Sequence, residues 1–112
     1  MNDRELLELA AKAAAIEILR SRLDDPLWRD MLLSPKHSKT PGIAEGWNPL
    51  TDDGDALRLA VSAPTIIDLQ WIIAEAWQAH DEFDARMAYV RRAIVEKIAF
   101  PFARTTDTGE KS

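Results

Sequence analysis

Midway along the chain, Trp47-Asn48-Pro49-Leu50 runs into Thr51-Asp52-Asp53-Gly54-Asp55 and then Ala56-Leu57-Arg58-Leu59-Ala60-Val61. No other stretch constrains the backbone so tightly. Thr51 or Asp52 offers a side-chain oxygen to the unpaired amides of a first helical turn. The three aspartates lie at the positive end of that helix's dipole. Leu50, just ahead of the cap, can staple onto the first full turn. Pro64 limits the helix at its far end. A chain of 112 residues must therefore be arranged about a helix that starts near its midpoint. That is room for one domain and not for two.

Composition narrows the chemistry. Hydrophobic residues make up 46% of the chain, enough for a real core. Cysteine is absent, which excludes disulfides, zinc thiolates and cysteine nucleophiles. The net charge of −5 argues against broad attraction to nucleic acid or to an anionic membrane. The opening Met1-Asn2-Asp3-Arg4-Glu5 does not read as a targeting signal, and no apolar run is long enough to span a membrane. The expected setting is the cytoplasm.

Elsewhere the reading is coarser. Asn2 or Asp3 caps a first helix, with Glu5 in capping-box position and Leu6, Leu9, Ala10, Ala13 and Ile16 at helical spacing. Propensity carries it as far as Leu23, although residues 16–20 also alternate as a strand does. Asp24-Asp25-Pro26 reads as a turn and 27–33 as a short strand or a short helix. Residues 34–46, with Pro35, His37, Pro41 and Gly42, read as a loop. Residues 65–80 fit two periods. In a strand, Ile67, Leu69, Trp71, Ile73 and Trp77 share a face. In a helix, Ile66, Leu69, Ile73, Ala76, His80, Phe83, Met87, Val90 and Ile94 form one stripe that continues into a last helix. From 84 to 98 the helix is the better reading, with Met87, Val90, Ile94, Val95 and Ile98 inward. Pro101 ends it, and 103–112 is a frayed polar tail behind a single globular domain of 1–102.

No catalytic set emerges. Asp52-Asp53-Gly54-Asp55 does not keep the calcium-loop spacing, since glycine falls third and Ala63 twelfth. His37 and His80 have no histidine at metal-ligand spacing, and nothing in sequence builds a triad. The four glycines are too scattered for a phosphate loop. Arg91-Arg92 is too small for a nucleic-acid footprint. The expectation is no enzyme, no cofactor and no metal. Four tryptophans in so short a chain serve the core or an interface; Trp47 is expected to be structural, and Trp71, Trp28 and Arg91 are the candidate partner contacts.

The 47–61 segment resembles a signature of small proteins encoded by tailed phages and prophages. Residues 1–14 are similar to their opening helix and Arg91-Arg92-Ala93-Ile94-Val95 to their closing one. The resemblance covers about a third of the chain. Trp47, Asn48, Pro49, Asp52, Asp53 and Asp55 carry its signature. It implies an α+β domain with helices packed on a short antiparallel sheet, related to the phage αβα-sandwich proteins, and it favours the strand at 65–77. Two departures keep an all-α bundle open: Ala15 stands where the family commonly has glycine, and 61–91 is unusually helix-compatible. The resemblance implies no activity. The function expected is that of a phage or prophage accessory protein that binds a host or phage protein, with inhibition of a host defence system as one form, and with a homodimer as a further association. The alternative is a small-molecule or nucleotide-binding module, or a small enzyme with a dispersed site.

Overall fold

Local capping chemistry sets where the helices begin. The computed structural model describes residues 2–20, 32–34, 45–63 and 67–111. Helix α1 spans Asp3–Ala13, and the Asn2 side chain accepts the Glu5 N–H at 2.8 Å. Helix α2 spans Asp53–Ser62, and Asp52 accepts the Asp55 N–H at 2.8 Å. Helix α3 spans Leu69–Ala79, and Asp68 accepts the Trp71 N–H at 3.0 Å. Helix α4 spans Phe83–Lys111. Each of the first three has an acid or amide where a first turn has free donors.

These helices pack on one another, and α4 is their common partner: α1, α2 and α3 each lie against it. Leu6, Leu7, Ala10 and Ala11 of α1 are buried, as are Ala56 and Leu59 of α2, Ile72 and Ala76 of α3, and Ile94, Val95, Ile98 and Ala99 of α4. Each fully buried leucine, isoleucine or valine contributes roughly 1.5–3 kcal/mol. Three short strands stand beside this core: β1 (Leu19–Arg20), β2 (Leu32–Ser34) and β3 (Glu45–Gly46). They form an antiparallel ladder in the order β1-β2-β3, with Leu19 opposite Leu33 and Leu33 opposite Gly46. The molecule is mostly helical. The expected α+β form, with helices laid on a sheet, gives way to one nearer the all-α alternative, because two- and three-residue strands offer no face broad enough to cover a helix.

Residues 69–79 are helical, not a strand. The Asp68 cap starts α3, and Ala74, Glu75, Ala76, Gln78 and Ala79 are poor strand formers. The buried stripe also has a different phase from the one expected. Ile72 and Ala76 face inward, while Ile73 and Phe83 are exposed. At His80 the backbone is extended, so the stripe does not run on into α4.

Two helix ends also differ from expectation. Helix α1 stops at Ala13 instead of reaching Leu23. Ala15 turns left-handed at φ 56°; its N–H donates to the Lys12 carbonyl at 3.2 Å and the Ile16 N–H to that of Ala11 at 2.8 Å. This is a Schellman stop, closed by the buried Ile16. Pro101 does not end α4, whose helical backbone continues through Lys111. Ile98 and Ala99, buried just ahead of the proline, anchor the turn that leads into it, so packing overrides propensity there. The expected turn at 24–26, together with Trp28 and His37, lies outside the described residues.

A left-handed conformation costs an L-residue with a Cβ roughly 1–2 kcal/mol, partly offset by the greater unfolded freedom of glycine. Ala15→Gly should therefore stabilise the fold by about 1 kcal/mol, or about 4 °C in Tm, whereas Ala15→Val should destabilise it. Thermal unfolding followed by circular dichroism checks both signs.

Candidate functional site

The segment from Trp47 to Asp55 builds the start of α2 and binds it to the rest of the fold. Trp47 is 2% exposed, and its backbone N–H donates to the Leu32 carbonyl at 2.8 Å, tying the segment to β2. Asn48 makes an Asx turn: its side-chain oxygen accepts the Leu50 N–H at 3.0 Å. Pro49 is fully buried. Asp55, also buried, accepts the Asn48 N–H at 3.0 Å and an Arg58 N–H at 3.3 Å. Gly54 leaves room for this packing, because a Cβ there would lie 3.2 Å from Asp52 Oδ2. Arg91 of α4 closes the block. Its Nε donates to the Leu50 carbonyl at 2.9 Å and its Nη1 to Asp53 Oδ1 at 2.6 Å. Asp52, Asp53 and Asp55 thus cap the helix, brace it and hold Arg91. The Arg91 side chain, expected as a partner contact, is only 18% exposed and is committed within the fold, because a half-buried guanidinium needs acceptors.

The outer side of α3 differs in character. Leu69, Ile72 and Ala76 turn toward the core, which leaves Trp71 63%, Trp77 61% and Ile73 47% exposed. Phe83, at the start of α4, is 70% exposed. Glu75 is the only charged residue in α3. Arg86 of α4 stacks on the Trp77 ring, with its Cζ 3.4 Å from the centroid, and its Nε donates to the His80 carbonyl at 2.8 Å. This fixes one of the two tryptophans at the corner where α3 meets α4. Trp71 was a candidate from sequence, and its exposure follows from the helical reading. Trp77 was missed as a contact, because a strand would have buried both rings. The six-residue separation of the two tryptophans already distinguished the two periods.

A groove of about 710 Å³ runs along α4 beside the end of α3. Glu75, His80, Tyr89, Arg92, Glu96 and Phe100 are among its lining residues. Tyr89 Oη donates to Glu75 Oε2 at 3.3 Å, and the His80 and Tyr89 rings meet edge to face at 5.8 Å. Partial burial raises the Tyr89 phenol above its ordinary 10.0, and the charge and hydrogen bond of Glu75 and the charge of Glu96 raise it further. The phenol is accordingly a neutral donor at physiological pH, unsuited to act as a base there. Among the described residues no three His, Asp or Glu side chains converge to hold a metal ion. No described helix is long and apolar enough to cross a membrane.

No family model, no curated protein and no solved structure matches this chain.

Tyr89 is the only tyrosine in the chain, so its ionisation can be read directly in the ultraviolet. Its folded pKa lies above the unfolded value. The stabilisation from the Glu75 bond is therefore complete below pH 10 and lost as pH rises through the elevated folded value. Titration of the folded chain should give a midpoint above 10, and Glu75→Gln should move it back toward 10. A wild-type midpoint at or below 10 would show that the Glu75 contact does not form.

Proposed function

We propose that this chain is a non-enzymatic binding protein of phage or prophage type that works through protein–protein contact, with the outer face of α3 as its contact surface. The observation that carries the reading is the exposure of Trp71 and Trp77 on a helix face with almost no charge. Large aromatic side chains held on a rigid helix are the residue types that dominate binding energy at interfaces. Leaving the Trp71 ring in water has no stabilising return for an isolated domain, and Trp77 gains only the Arg86 stack. The resemblance makes a host or phage protein, or a second copy of the chain, the class of partner, and inhibition of a host defence system one form the activity could take.

The groove between α3 and α4 supports a second reading, a small-molecule module. Its volume falls within the range of ligand pockets, roughly 300–1,000 Å³, and it mixes an apolar floor with Arg92, Glu96 and Tyr89.

Immobilised chain should retain protein from host lysate, and Trp71→Ser/Trp77→Ser should lose what is retained while keeping its helical circular dichroism. A thermal-shift screen of nucleotides and common metabolites should leave Tm unchanged. Retention that survives the double substitution would move the surface elsewhere. A ligand that raises Tm, an effect abolished by Arg92→Ala, would favour the groove.

A further inference from the structure

Two residue types of α3, glutamine and tryptophan, recur symmetrically about its middle residue, Ala74. Gln70-Trp71 precedes Ala74 and Trp77-Gln78 follows it at the same separations. On a helix, three residues either way place Trp71 and Trp77 about 60° to each side of Ala74 and about 4.5 Å above and below it. Gln70 and Gln78 lie one turn away on the same ridge. All five residues are exposed. A helix face arranged in this way is complementary to itself turned end for end.

We infer that the occupant of this face is a second copy of the chain, with α3 packed antiparallel on its counterpart and the two-fold axis passing between the two copies of Ala74. The inference rests on the reading of α3 as a protein-binding surface and names the partner. In this arrangement each Trp71 lies against the other copy's Trp77, and each Gln70 amide faces a Gln78 amide, which supplies both donor and acceptor. Alanine at the crossing allows close approach of the two axes, within the usual 8–10 Å of packed helices.

Charge favours the same pairing. The chain is acidic overall, at −5, so most faces of two copies repel. Glu75, the one charge in α3, is half-buried and receives the Tyr89 hydroxyl. At the ends the signs are complementary: Asp68 precedes α3, while Arg86 is stacked on Trp77 near its far end. Reversing one copy sets the end that carries Asp68 level with the end that carries Arg86 in the other, so unlike charges mark the two meeting ends. Exposed aromatic area contributes as well. Trp71 and Trp77 together leave roughly 250 Å² of aromatic surface in water, at about 200 Å² for a whole side chain. That is about a third of the roughly 800 Å² that each partner buries in a standard interface, and Ala74 and the two glutamines add to it. An isologous contact of this kind closes after two chains.

The absence of cysteine makes a direct test simple. Sedimentation of the wild-type chain should show a concentration-dependent dimer, and Trp71→Ser/Trp77→Ser should abolish it. Under mild oxidation Ala74→Cys should crosslink to a covalent dimer, since the axis brings the two copies of that position together. Gln70→Cys mixed with Gln78→Cys should crosslink far better than either variant alone. Val61→Cys, on the exposed side of α2, should not crosslink. A wild-type chain that stays monomeric overturns the inference. If that monomer still loses a captured protein on Trp71→Ser/Trp77→Ser, the binding reading survives without the second copy; if the double substitution changes nothing, both fail. A dimer that persists in the double variant, or one in which Val61→Cys crosslinks as well as Ala74→Cys, also overturns the inference.

Discussion

One helix face has to serve three partners. Helices α1, α2 and α3 all pack on α4, whose Ile94, Val95, Ile98 and Ala99 are buried beneath them. Neighbouring helices approach to 8–10 Å, so each gains contact along one stripe only. For α1 that is sufficient, because its outer side is largely polar, and α2 leaves only the aliphatic Leu57 and Val61 outside. Helix α3 is apolar on both sides, and α4 covers only the side carrying Leu69, Ile72 and Ala76. The open aromatic surface is thus a consequence of core geometry.

The same helix holds the midpoint of the chain in place. Arg91 reaches from α4 to the Leu50 carbonyl and to Asp53, while Trp47 fills the core from the other end of that segment and Asn48 is held by Asp55. An ion pair on an open surface is worth little. This one is half-buried on the arginine side and reinforced by a backbone acceptor, which makes it a stronger constraint on where α2 begins. The acids that could suggest a cation loop are occupied in capping, bracing and holding Arg91.

Much of this was legible in the residues where local chemistry decides. Asn2 or Asp3, and Thr51 or Asp52, mark helix starts because a short polar side chain before an apolar period has one favourable use, and Asn2 and Asp52 are the ones that cap. The inward set of α4 was legible from its period. The end of α1 was not, because an alanine-rich run has no local reason to stop. A left-handed Ala15 and the packing of Ile16 make the stop, and both depend on tertiary structure. Residues 65–77 were ambiguous for a related reason: with apolar residues on both sides, a strand period and a helix period fit equally well. The resemblance to sheet-containing proteins weighted the wrong one. The candidate surface was only half visible as a result. Trp71 could be named from sequence, but its pairing with Trp77 about Ala74 has meaning only on a helix.

The central claim is that α3 is a helix on α4 with Trp71 and Trp77 facing out and Trp47 facing in. Fluorine NMR of the chain labelled with 5-fluorotryptophan tests it most directly, at dilutions low enough to keep the chain monomeric. The four tryptophans give four resonances, assigned by single Trp→Phe variants. Transfer from H₂O to D₂O should shift the Trp71 and Trp77 resonances and leave that of Trp47 unmoved. Solvent-insensitive resonances for both Trp71 and Trp77 in the monomer would place the rings in the core and contradict the account.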